Sequence, residues 1–220
     1  MNPYFRTPPV VKNLLIINIL VFMATSLLSK APAGHMLLGH QLETMGGVGD
    51  YIQAYGTLYW FESPFFHPWQ FVSYMFLHGG FEHLFFNMFA LWMFGRVIEE
   101  DLGSKRFLIY YFACGIGAAL IQLATVWFTG EFEIGLVGAS GAVMGLLLAF
   151  GVLHPNATIM LLLPPIPIKA KWFVVIYGAL ELLLGTTGYG GQIAHFAHVG
   201  GMLWGVLLLF AWRRSGKIRF

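Results

Sequence analysis

Six long apolar stretches run along the chain, over residues 13–29, 76–95, 107–128, 138–154, 172–185 and 193–212, with Glu82 and Glu181 as the carboxylates inside them. Crossing ~30 Å of hydrocarbon takes a helix of about 20 residues. Lipid cannot satisfy open backbone groups, so each stretch is predicted to be a helix. The pattern predicts an all-α, polytopic membrane protein with six spans, in one domain over residues 1–220. Between the first two spans lies a long loop, residues 30–69. It is rich in Gly, Pro and aromatic side chains, among them Tyr51, Tyr55, Tyr59, Trp60, Phe61, Phe65, Phe66 and Trp69. Such a loop is expected to pack at the headgroup level, where Trp and Tyr are favoured. The loop before the last span carries Gly185, Gly188, Gly190 and Gly191 and reads as a hinge.

Composition agrees with the pattern. The 220 residues are 58% hydrophobic and 10% charged, where a soluble domain carries about 25% charge. Mean hydropathy is +0.72. These values exclude a soluble globular enzyme, a disordered chain and a nucleic-acid binder. The single cysteine, Cys114, excludes a disulfide scaffold and a cysteine-based metal site. Charge placement adds a direction. Arg6, Lys12, Arg96, Lys105, Arg106, Lys169, Lys171, Arg213, Arg214, Lys217 and Arg219 all fall on one side of the six-span topology, and Lys30 alone on the other. The positive-inside rule puts both termini in the cytoplasm. The first span lacks a small-residue cleavage site and is expected to remain as an anchor.

Polar groups inside a membrane are costly and usually face the bundle interior. Seven histidines (His35, His40, His67, His78, His83, His195 and His198) map to the outer half, and His154 to an inner end. Ser140 opens the fourth span in Gly138-Ala139-Ser140-Gly141, where the free N–H groups and positive dipole of a helix start lie. Such a terminus can stabilise an oxyanion; a serine there also serves as a cap or a small packing residue. His198 opens the sixth span at a similar depth. Gly201 and Gly205 share its stripe, and the fourth span has Gly141 and Gly145. Small residues at that spacing let helices approach closely, which would bring Ser140 and His198 within hydrogen-bond reach as nucleophile and base. A membrane histidine also serves as a plain interhelical hydrogen-bonder. His83 and Asn87 stack at i and i+4 on the second span. They suit an oxyanion hole or a structural clamp. No acid is expected at the depth of His198, so a Ser–His dyad is expected rather than a triad. Glu181 reads as a functional candidate or a polar contact near the outer end of a tilted helix. His195, three residues before His198 on nearly the same face, reads as a group that supports His198 or lines water, or as packing, and His78 as a residue at the outer entrance of the second span, where water reaches.

His83-x-x-x-Asn87, Gly138-x-Ser140-Gly141 and Ala197-His198-x-x-Gly201-x-x-x-Gly205 together resemble the rhomboid family of intramembrane serine proteases. The resemblance covers residues 66–212, with spans in the same order, and includes Glu99, Glu100, Gly103, Tyr110, Tyr111 and Gly115. It implies hydrolysis of peptide bonds in or near the transmembrane segments of membrane-protein substrates, with Ser140 as nucleophile and His198 as base. It assigns His83, Asn87 and the Ser140 N–H to the oxyanion hole, with Gly138 shaping the loop there. Two departures stand out. The first outer loop has no arginine where some members carry a Trp-Arg pair. Met144 stands where some carry a tyrosine stacked on the histidine, though its sulfur can still contact an imidazole. No cofactor, metal or nucleic acid is expected; the partners are substrates and the bilayer, in a bacterial cytoplasmic membrane. The alternatives are a catalytically silent relative that binds membrane clients, and a haem or metal protein with histidines on facing helices.

Overall fold

A computed structural model describes residues 7–29, 47–132, 135–161, 165–187 and 194–218. The helices are α1 (Pro9–Leu28), α2 (Val48–Gly56), α3 (Gln70–Ser73), α4 (Phe81–Ala90), α5 (Arg96–Leu102), α6 (Ser104–Thr129), α7 (Ser140–Leu153), α8 (Ala170–Thr187) and α9 (His195–Arg214). A 3-10 turn, Tyr74–Phe76, follows α3, and a π-helical stretch, Leu91–Gly95, joins α4 to α5. Lys30, His35, His40, Gly188, Gly190, Gly191, Arg6 and Arg219, used above, lie outside the described residues.

Among the described residues, four helices, α1, α6, α8 and α9, are long and apolar enough to cross a membrane, and α7 is a shorter apolar helix of 14 residues. The expected span over 76–95 differs most. Its helix starts only at Phe81, after Gly79 and Gly80, and continues through the π stretch and the charged residues Arg96, Glu99, Glu100 and Asp101. Gly103, at φ +73°, turns the chain into α6. A second departure from an all-α chain is a two-stranded antiparallel ribbon between α7 and α8. It pairs β1 (Thr158–Met160) with β2 (Pro167–Lys169). Pro165 and Pro167 in that connection deny a helix its N–H donors.

The centre is built from α6, α7 and α9, which pack on one another; α8 leans on α9 and α7. Half of the apolar window of α6 is buried, against 17% for α8 and 22% for α1. The outer helices therefore present apolar side chains outward, such as Leu20 and Leu27 on α1 and Val175 and Leu183 on α8. A bilayer covers such faces. Lipid gives helices no hydrophobic reason to associate, so close packing of small residues must hold the centre. Gly145 of α7 sits against Cys114 of α6 and the Gly201 carbonyl of α9, and Gly200 of α9 against Ile121 and Ala118 of α6. Gly205 departs from the expected α7–α9 seam: its neighbours are Tyr110 and Cys114 of α6. Two buried phenols fasten the same region. Tyr110 donates to the Gly145 carbonyl at 2.8 Å and Tyr74 to the Gly115 carbonyl at 2.7 Å.

Glu99 fastens α1. Its carboxylate accepts the Val10 N–H at 3.0 Å, the Val11 N–H at 2.8 Å and the Ser104 hydroxyl at 2.6 Å. The first donors of a helix have no partner inside it, and a negative charge there also meets the positive dipole end. Hydrogen bonds to charged groups contribute about 1.5–3 kcal/mol each. Glu99→Ala is therefore expected to cost about 3 kcal/mol or more, and Glu99→Gln less. A detergent thermal-unfolding series checks this; equal midpoints for all three chains would refute it.

The described part of the connection between α1 and α3 packs on α6. Trp60 stacks on Trp127 of α6, with ring centroids 5.7 Å apart, and contacts Phe132 at 5.2 Å. Gln70, fully buried, organises the turn: its amide donates to the Phe65 and Tyr55 carbonyls at 2.7 and 3.1 Å, and its oxygen accepts the His67 N–H at 3.1 Å.

Candidate active site

Three segments converge at the start of α7. Leu58 and Leu136 exchange backbone hydrogen bonds of 3.0 and 2.9 Å, and the Gly138 N–H donates to the Tyr74 carbonyl at 2.9 Å. The strand of chain leading into Ser140 is thus tied to the segment after α2 on one side and to the turn before α4 on the other. Gly138 has φ +117°, a region that L side chains avoid. A Cβ built there would lie 2.6 Å from His83 Nε2 and 3.8 Å from Asn87 Nδ2. Gly138, His83 and Asn87 therefore meet two residues before Ser140.

The serine does not cap its helix: Ala139 occupies the cap position and no side-chain cap bond forms. Ser140 Oγ lies instead 2.8 Å from His198 Nε2, across the α7–α9 contact. That contact is close because Gly201, one turn below His198, lies directly against the Gly141 carbonyl.

An acid does stand beside His198, contrary to the expectation from sequence. Glu181 Oε2, on α8, is 2.7 Å from His195 Nδ1 and 3.0 Å from His198 Nδ1. The two contacts differ in kind. The first is a hydrogen bond. The second is close, but the oxygen lies off the direction in which the ring N–H points, and His198 Nδ1 has no directional partner. A carboxylate in an apolar span needs a partner. The i, i+3 pair His195 and His198 on one face of α9 supplies it. Spacing within α9 marked the two histidines as neighbours, but nothing in it pointed to α8.

Tautomers follow from the partners. An ionised carboxylate only accepts, so the His195 proton sits on Nδ1, and the negative charge 3.0 Å from His198 Nδ1 favours that nitrogen for the His198 proton too. His198 Nε2 is then a lone pair facing the Ser140 hydroxyl, which donates to it. His83 has the opposite arrangement. The Gly79 N–H donates to its Nδ1 over a long 3.4 Å, which leaves the proton on Nε2, facing the Gly138 corner. Asn87 donates through Nδ2 to the His83 carbonyl at 3.0 Å. His78 is buried, edge-on to His83 at 5.1 Å between ring centroids, with neither ring nitrogen hydrogen-bonded. Met144 lies one turn along α7 from Ser140, half-buried and packed against the core. The site thus holds a hydroxyl on a basic nitrogen, a carboxylate behind the base, and donors grouped around a helix start. That set can perform acyl transfer.

Membrane-length apolar helices around such a site define an integral membrane protein. A family model for the Rhomboid domain matches residues 66–215, and the chain belongs to the rhomboid family. Rhomboid protein 1, mitochondrial, of Saccharomyces cerevisiae is 34% identical over 147 residues, covering 65% of this chain and 41% of that protein. Rhomboid protease AarA of Providencia stuartii is 30% identical over 156 residues, covering 66% of this chain and 56% of its own length. Rhomboid protease GlpG of Serratia proteamaculans is 29% identical over 158 residues, covering 70% and 53%. The chain spans about half the length of these curated relatives.

Proposed function

We propose that the chain is an intramembrane serine protease that cleaves membrane-protein substrates in or near their transmembrane segments. The 2.8 Å contact between Ser140 Oγ and His198 Nε2 carries the reading. The family and its relatives named as proteases support it. His198 takes the hydroxyl proton as Ser140 attacks a peptide carbonyl. The leaving amine takes that proton, and an acyl-serine forms. Water, deprotonated by His198, then attacks the acyl-serine; the ester bond breaks, the acid leaves, and His198 returns the proton to Ser140 Oγ. His83 Nε2–H, Asn87 Nδ2–H and the Ser140 N–H hold the oxygen of the tetrahedral intermediate. A peptide bond inside a helix is closed to a nucleophile, so substrates need small or helix-breaking residues near the cut.

The topology we propose is one rhomboid-like domain over residues 1–220 with six crossings. The helical run through α4 and α5 and the short α7 supply the two beyond α1, α6, α8 and α9. Both termini then face the cytoplasm of a bacterial cell, on the side where the basic residues gather.

The test needs no known substrate. The detergent-solubilised protein is exposed to a fluorophosphonate and weighed intact. One adduct, mapped to Ser140, is the expected result. A folded protein that takes up none, in detergent and in lipid, overturns the reading in favour of a silent client-binding relative.

Two neighbours of the pair have separable effects. Losing one oxyanion donor costs about 10²–10³ in rate. Asn87→Ala is expected to slow turnover of a substrate by about that factor with KM held; a loss confined to KM would refute the role. Glu181 acts through His198 as a positioning residue. Its oxygen lies off the ring axis, so Glu181→Gln is expected to slow labelling by about 10- to 100-fold, less than the 10⁴ known for an aligned triad carboxylate. Glu181→Asp should recover part of the rate at an unchanged unfolding midpoint. Equal rates in all three chains would rule the role out.

A further inference from the structure

We infer that Glu181, His195 and His198 form a reversible inhibitory site for a divalent transition-metal ion of the zinc class. The inference rests on the reading of His198 as the general base. One ligand atom from each residue lies within 4.8 Å of the others. Both Nδ1 atoms lie close to the same carboxylate oxygen, His195 Nδ1 in a 2.7 Å hydrogen bond and His198 Nδ1 at 3.0 Å off its ring axis. Zinc holds nitrogen and oxygen ligands at about 2.0–2.2 Å, so neighbouring ligands of a tetrahedral ion stand ~3.3 Å apart. Opening the two contacts by a few tenths of an ångström admits an ion between the three groups. Two imidazoles and one carboxylate favour zinc and its neighbours over magnesium or calcium, which prefer all-oxygen shells. His198 is the most open of the three, its side chain 12% exposed against 7% for His195.

The consequence for catalysis is a change of tautomer. With Glu181 alone, the His198 proton sits on Nδ1 and Nε2 accepts from Ser140. A metal on Nδ1 uses that lone pair, and the single ring proton moves to Nε2. His198 then donates toward Ser140 and cannot take its proton. The ion leaves the serine in place and removes its base. One carboxylate thus serves two states: it orients the base when no metal is bound, and it becomes a metal ligand when zinc arrives.

The experiment uses the full chain in detergent. Cobalt(II) is titrated into Ser140→Ala, which keeps all three ligands. Visible d–d bands of a low-coordinate ion should saturate near one equivalent and bleach when zinc is added. In the Ser140→Ala background, His195→Gln should weaken that binding by about tenfold or more. Glu181→Gln in the same background serves if the histidine variant does not fold. In the unsubstituted chain, zinc should block fluorophosphonate labelling and a chelator should restore it. Bands that are absent, or that persist unchanged in both ligand variants, overturn the site. So does labelling that ignores zinc. A chain that binds cobalt through these residues but is never labelled, even with chelator, keeps the site and loses the protease reading. A chain labelled equally with and without zinc loses the site and keeps the protease.

Discussion

Ser140→Ala and His198→Ala are each expected to lower fluorophosphonate modification and peptide cleavage by about 10⁴-fold or more. The two side chains act as one unit, so either loss removes nearly all of their joint effect, and the double variant should be scarcely worse than either single one. Ser140→Ala deletes the attacking oxygen. His198→Ala leaves the hydroxyl in place with nothing to take its proton. Stability should barely move, because one partly buried hydrogen bond contributes only about 1 kcal/mol. Thermal midpoints near that of the unsubstituted chain, with labelling gone, are the expected pair of results. Cleavage that survives in either purified variant would sink the assignment. Additive losses in the double variant would mean that the serine and the histidine work separately.

Gly201→Ala is expected to produce the second-largest change, at a residue that touches no substrate. A methyl there runs into the Gly141 carbonyl on α7. That atom belongs to a backbone and cannot swing aside, so α7 and α9 must part. Overpacking of this kind costs about 1–3 kcal/mol. The functional loss should exceed the loss of stability, because Ser140 and His198 sit on opposite sides of that contact. A shift of about 1 Å between catalytic groups costs on the order of 10²-fold in rate. Labelling should therefore fall by about that factor even where the protein remains folded. Gly205→Ala is the comparison. Its neighbours are the Tyr110 hydroxyl and Cys114 on α6, so it should disturb stability more than labelling. Normal labelling in Gly201→Ala would show that the close approach does not set the distance between the pair.

Hydrophobic runs needed no tertiary information to be read as helices, since every backbone group in lipid must be satisfied locally. Their lengths were less legible. The helix beginning at Phe81 runs on through Arg96 and Glu99 because Glu99 has a use inside the fold, binding the start of α1. A charge that reads as the end of a span was thus a buried anchor. The pairing of Ser140 with His198 was legible because two glycine stripes, Gly141–Gly145 and the one holding Gly201, promised a close approach at matching depth. Gly205 belonged to the same stripe but faces α6, since a helix in the centre of a bundle has more than one neighbour.

The sequence alone determined the membrane class and the chemical type of each candidate group. Those properties belong to single segments and need only the local period and the cost of polarity in lipid. Only the tertiary structure decided that an acid joins the pair. Glu181 lies far along the chain from Ser140 and is unmarked by any motif, yet it meets the back of His198. The roll of α8 about its own axis, set by packing against α7 and α9, decides that contact. The sense in which each imidazole holds its proton was likewise decided there, because a tautomer depends on what the other nitrogen faces.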